Sequence, residues 1–191
     1  VGCLKTSGSP FILKKMRITF LVITCCFFSF NLFAIDPKKE YVGTPEDYDI
    51  DFQEFCVVNN NVELTGWISK SPKNTNGAII LTYGDYGNMS YFLPYIKFYT
   101  NLGFDVISFD YRGFGKSSEF QIKPDILFYH QFADDLVTVF KYSKNTIGYS
   151  KLGVVSLSMG TIITVLAIKN VNFDFIVAEG CVFNHNDIIL R

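Results

Sequence analysis

One stretch of this 191-residue chain limits the possible folds more than any other. An apolar run, Val154-Val155-Ser156-Leu157, enters a small-residue turn at Ser158-Met159-Gly160 and continues into a helix-like run over residues 161–168. A sharp strand-to-helix turn lifts one hydroxyl above a sheet edge, provided that small residues two before and two after it let strand and helix pass closely. Ser156 and Gly160 occupy those places around Ser158. An ordinary strand-to-helix turn reads the same way, so the surrounding chain has to decide between the two.

That surrounding chain alternates strands with helices. Residues 52–58 and 62–69 are rich in β-branched and aromatic side chains, and Asn59-Asn60-Asn61 between them suits a tight antiparallel hairpin. Ala78-Ile79-Ile80-Leu81 is a short continuous apolar run of the kind buried on both faces of a parallel sheet. The glycine-punctuated turn Tyr83-Gly84-Asp85-Tyr86-Gly87-Asn88 follows it. A helix over 90–102 comes next, with Ser90 as N-cap, Pro94 in the first turn and Gly103 at the end. Residues 104–109 form another buried strand. Residues 126–143 place Phe132, Leu136, Val139 and Phe140 on one helical face, with Asp134 and Asp135 turned away. Strand 152–157, the turn at Ser158 and a last apolar strand over 173–179 complete a parallel α/β sheet.

Several local signals are weaker than they look. Gly115-Lys116-Ser117 suggests a phosphate loop, but Asp110 stands where such a loop needs its first glycine. Asn88-Met89-Ser90 fits a glycosylation acceptor and, more plainly, a helix cap. His130, among Phe128, Tyr129 and Phe132, reads as a core or boundary residue rather than a base. A net charge of −1 with scattered lysines leaves no basic face for a nucleic acid. The cysteines show no metal-ligand spacing, and no motif calls for a cofactor.

The N-terminal quarter has a different character. Lys14, Lys15 and Arg17 precede an apolar run over residues 18–35, with Ala34 as a small residue near its end. This is the pattern of an export signal starting at Met16, and the run is also just long enough for a membrane anchor. The expected organisation is an upstream extension (1–15), a signal or anchor (16–35), a linker (36–50) and a domain (51–191). Export or membrane attachment would follow from the second of these. A chain starting at Val1 and stopping at Arg191, just after an apolar segment, also reads as a fragment.

The order of three blocks resembles the α/β-hydrolase family, in particular serine hydrolases behind an N-terminal anchor or signal. The blocks are residues 83–90, residues 110–117 (Asp110-Tyr111-Arg112-Gly113-Phe114-Gly115-Lys116-Ser117) and residues 156–160, each after an expected strand. The resemblance implies a mostly parallel sheet with flanking helices, in strand order 1-2-4-3-5-6 and truncated after the sixth strand. It implies Ser158 as nucleophile, with the backbone N–H groups of Met159 and Asp85 as oxyanion donors. Tyr83 stands where the family usually has histidine, and Ser156 where it usually has glycine. Downstream, His185 and Asp187 come in the order histidine then acid, the reverse of the family's order, and read as a polar loop. The strand order would separate Cys56 from Cys181 by five gaps, about 24 Å, too far for a disulfide; both are expected as free thiols, buried or nearly so. The function implied is cleavage of an ester, thioester or amide through an acyl-serine, with a small-molecule or lipid-like ester as substrate. The alternatives are an inactive hydrolase-like binding protein, a truncated gene product and a membrane-associated interaction protein.

Overall fold

The computed structural model describes residues 35–73, 75–123 and 126–181. The apolar run up to residue 34, together with His185 and Asp187, lies outside them. Six strands make the main sheet: β1 (Phe52–Asn59), β2 (Val62–Ser69), β3 (Ala78–Thr82), β4 (Asp105–Phe109), β5 (Leu152–Leu157) and β6 (Ile176–Glu179). Their order is β1-β2-β4-β3-β5-β6, as the resemblance implied. β1 and β2 pair antiparallel, as do β2 and β4, whereas β4-β3-β5-β6 are parallel.

Local chemistry accounts for these elements. The hairpin closes on Asn60 and Asn61, both left-handed (φ 49° and 65°), a turn whose twist matches that of the strands it joins. β3, β4 and β5 are buried at every position, which is why they appear in the sequence as continuous apolar runs. β6 is exposed at all four positions, with Ile176 and Val177 open on its surface.

Among the described residues three α-helices connect the strands: α1 (Leu93–Asn101), α2 (Tyr129–Tyr142) and α3 (Met159–Ala167). α1 packs against β4 and the short turn Pro45–Tyr48, and α2 packs along α3. The helix expected over 90–102 opens as a 3₁₀ turn, Met89–Phe92, before α1. Its cap is Asn88, whose side chain accepts from the Ser90 N–H, and not Ser90 itself. Asparagine has the longer reach, and the Ser90 hydroxyl is already donated to Asn88 Oδ1 at 2.6 Å.

Other expectations need correction. Phe132, Leu136, Val139 and Phe140 are buried as read, but Asp135 is buried beside them rather than turned away. The reason lies outside the helix. Arg112 reaches it from the turn after β4, through its backbone N–H (2.9 Å), Nε (2.9 Å) and Nη2 (2.6 Å). Burial nonetheless pushes the Asp135 carboxyl up to about 6, against the pull of the guanidinium. Cys56 and Cys181 are free thiols as expected, yet both are exposed, because Cys56 lies on the outer face of the end strand β1 and Cys181 follows the exposed β6. Residues 36–50, read as a linker, lie on the domain: Ile35 and Ile50 are buried in its core, and Asp36–Pro37 pair in parallel with Tyr86–Gly87.

Candidate active site

Ser158 sits between β5 and α3 with φ 50° and ψ −119°, a backbone state that L-residues other than glycine rarely adopt. The hydroxyl-bearing residue is exposed, although its neighbours Leu157 and Met159 are buried. Such strain persists only where the surroundings leave no alternative. Here they leave none: a Cβ added at Gly160 would stand 2.7 Å from Thr82 Oγ1 and 2.8 Å from the Thr82 carbonyl carbon. α3 therefore touches the end of β3 directly, and only glycine permits that approach.

Ser156, two residues before the turn, is fully buried. Its hydroxyl lies 2.7 Å from that of Thr164, two turns into α3, and this bond satisfies the polar atom that replaces the usual glycine. The Ser158 N–H donates to the Glu179 carbonyl at 3.0 Å, which ties the turn to the end of β6.

Facing this turn is the loop between β3 and α1. A Cβ at Gly84 would lie 3.6 Å from Ser158 Cβ and 3.9 Å from its Oγ, so the loop's main chain runs in van der Waals range of the serine. Asp85, next in sequence, is exposed. Met159 opens α3, where the first N–H groups have no acceptor within the helix and carry its positive end. The fold thus brings Ser158, next to Met159 at the start of α3, against the Gly84 main chain, which Asp85 follows in sequence.

The loop is anchored at Tyr83, which is fully buried and stacked on Phe92 at 4.9 Å. The Tyr83 N–H donates to Tyr111 Oη at 3.1 Å, and the Tyr83 hydroxyl donates to Asp110 Oδ1 at 3.4 Å. Asp110 is itself fully buried. It also accepts from the Met89 N–H (2.9 Å), the Lys116 N–H (3.0 Å) and the Tyr41 hydroxyl (2.5 Å). Burial raises its carboxyl above the usual range, opposed by those donors. A side chain at Gly115 would land on this carboxylate, so the residue that breaks the phosphate-loop pattern is also the one that fills the glycine turn.

Beside the turn lies a cavity of about 640 Å³, walled mainly by apolar side chains of α3 and β6, including Val165, Ile168, Ile176 and Ala178. Exposed His130, at the start of α2, lines it, as do Ser156 and Thr161, whereas Ser158 does not. Among the described residues no side chain is hydrogen-bonded to the Ser158 hydroxyl.

The strand order together with the strained serine turn is the architecture of a hydrolase. The chain belongs to the α/β-hydrolase family, and residues 73–182, more than half of it, match the family model described as serine aminopeptidase, S33. Among relatives, the uncharacterized protein YfhR of Escherichia coli strain K12 is 32% identical over 112 residues, 54% of this chain and 38% of that protein. An uncharacterized membrane protein of Saccharomyces cerevisiae, YNL320W, is 30% identical over 81 residues, 41% of this chain and 28% of that one. The chain thus spans well under half the length of these relatives. Among solved structures, the esterase Pf2001 of Pyrococcus furiosus superimposes with a TM-score of 0.61 at 23% identity, covering 72% of this chain and 54% of that one; at this identity the likeness is one of fold.

Proposed function

We propose that the whole protein is a serine hydrolase that cleaves a carboxylic ester, thioester or amide through an acyl-Ser158 intermediate. The observation that carries this is the strained, exposed Ser158, locked by Gly160 against Thr82 and lying alongside the Gly84 main chain. A turn that needed no reactive hydroxyl would accept glycine at position 158 and avoid the strain. In the reaction, Ser158 Oγ attacks the substrate carbonyl carbon and its proton passes to a general base. The tetrahedral oxyanion is received by the Met159 and Asp85 N–H groups. The bond to the leaving group then breaks, the base returns the proton to that group, and water hydrolyses the acyl-serine by the same route. The base and its orienting acid belong to the activity of the whole protein.

Support for a lipid-like or other apolar ester comes from the apolar cavity beside the turn. Support for membrane attachment comes from the apolar run over 18–35 and from the likeness to the yeast relative, a protein described as a membrane protein. A second reading, a hydrolase-like binding protein without turnover, draws on the absence of any side chain bonded to the Ser158 hydroxyl among the described residues. A fluorophosphonate probe separates the two. The enzyme labels at Ser158 and loses labelling in Ser158→Ala, whereas well-folded full-length protein with no serine-dependent labelling overturns the hydrolase proposal.

A further inference from the structure

The backbone from Ile35 to Val42 crosses the loop that faces Ser158 and is bonded to it repeatedly. The Asp36 N–H donates to the carbonyl of Asp85 and the Lys38 N–H to that of Gly87, each at 2.8 Å. Asn88 Nδ2 returns bonds to the carbonyls of Lys38 (3.0 Å) and Glu40 (2.7 Å), and the Val42 N–H donates to Ser90 Oγ at 2.9 Å. Tyr41 completes the set with its 2.5 Å bond to Asp110, the buried carboxylate that also receives Tyr83 and Met89 from the same loop. Burial and that carboxylate hold the Tyr41 phenol far above its ordinary value, so it remains a donor.

We infer that residues 35–42 are a strap that positions the site: they hold the Tyr83-Asn88 loop in register with Ser158, with Tyr41 and Asp110 as positioning residues that touch no substrate. Loops are the usual low-stability parts of a fold, and this one lacks a regular strand partner apart from the strap. Without the strap, the Asp85 and Gly87 carbonyls lose their N–H donors and the loop keeps only its Tyr83 and Asn88 ends. A donor displaced by about 1 Å loses most of its value to a developing oxyanion. The strap therefore makes the segment leading out of the apolar run part of the machinery rather than a tether.

The inference rests on the reading of Asp85 as an oxyanion donor, and its test separates the two. In the full chain, Tyr41→Phe keeps the ring against Trp67 and removes one hydroxyl, and Lys38→Pro removes one backbone N–H. Lys39→Ala, which breaks only an exposed ion pair with Glu119, is the control. Amide exchange over residues 84–88 is expected to quicken by about tenfold in the first two variants and not in the control, with β3 and β5 amides unchanged. Fluorophosphonate labelling of Ser158 is expected to slow by about the same factor. Unchanged exchange at 84–88, or an equal rise across the whole sheet, overturns the inference. If the unmodified protein does not label at Ser158, the oxyanion reading falls, and the exchange rates alone judge the strap.

Discussion

The two walls of the site are held by opposite means. The serine turn is fixed sterically and locally: residues 156–160 are shaped by a strand, a helix and one glycine pressed on Thr82. The facing loop is fixed by polar bonds reaching across the chain, from a strap 48 to 50 residues upstream and from Asp110 on the next strand's end. A wall held by contact fails when volume changes and is indifferent to pH. A wall held by hydrogen bonds to a buried carboxylate fails when a donor is removed, and responds to the charge of that carboxylate.

Volume gives the largest test of that contrast. Gly160→Val should collide with Thr82 backbone and lower the unfolding free energy by about 3 kcal/mol or more, read from urea denaturation. A loss under about 1 kcal/mol would mean that α3 slides away freely and that the steric wall is soft.

A second buried carboxylate, outside both walls, tests the same dependence of polar bonds on charge. Arg112→Ala leaves the Asp135 carboxylate without its guanidinium. In the unaltered protein the Asp135 carboxyl sits at about 6, above its unfolded value, so its contribution is fully present below about pH 4 and is lost as pH rises through about 6. Removing Arg112 raises that carboxyl further. The stability gap between variant and parent should then be small near pH 4 and grow to about 3 kcal/mol by pH 8, measured by melting across pH. A gap that does not change with pH would show that the pair acts through packing alone.

Strain at the turn can be measured directly. Ser158→Gly should raise stability by about 1 kcal/mol while abolishing serine labelling, whereas Ser158→Ala abolishes labelling without the gain. The smallest effect is expected far from both walls: Cys56→Ser, on an exposed strand position, should change stability by no more than about 0.5 kcal/mol.

How much could be read from the chain follows the same division. The strand order came only through the family resemblance, whereas the hairpin at Asn60-Asn61 and the turn at Ser158 were legible because each depends on residues within a few positions of one another. β2 and β5 fall on the expected residues for that reason. Asp135 was misplaced because helical periodicity sees only one helix, and Arg112, the residue that draws it inward, belongs to a different block. The role of Asp110 was hidden for the same reason: in sequence it merely spoils a phosphate loop, while its four donors come from Tyr41, Tyr83, Met89 and Lys116. The strap looked like part of a linker because the charges, two prolines and glycine of residues 36–50 describe a segment without regular structure, whether or not it is bound. One sequence signal could have found it: Ile35 and Ile50 are apolar residues framing a polar stretch, and both are buried.

The strap also sets an order of events. Tyr41 and Asp110 are separated by 69 positions, so on a ribosome adding about 5–20 residues per second the strap emerges several seconds before that carboxylate. Over that interval the Asp85 and Gly87 carbonyls become available first, and the buried carboxylate only at its end. The part of the site made first is therefore closed last, and the loop facing Ser158 takes its final form only after the chain has delivered Asp110.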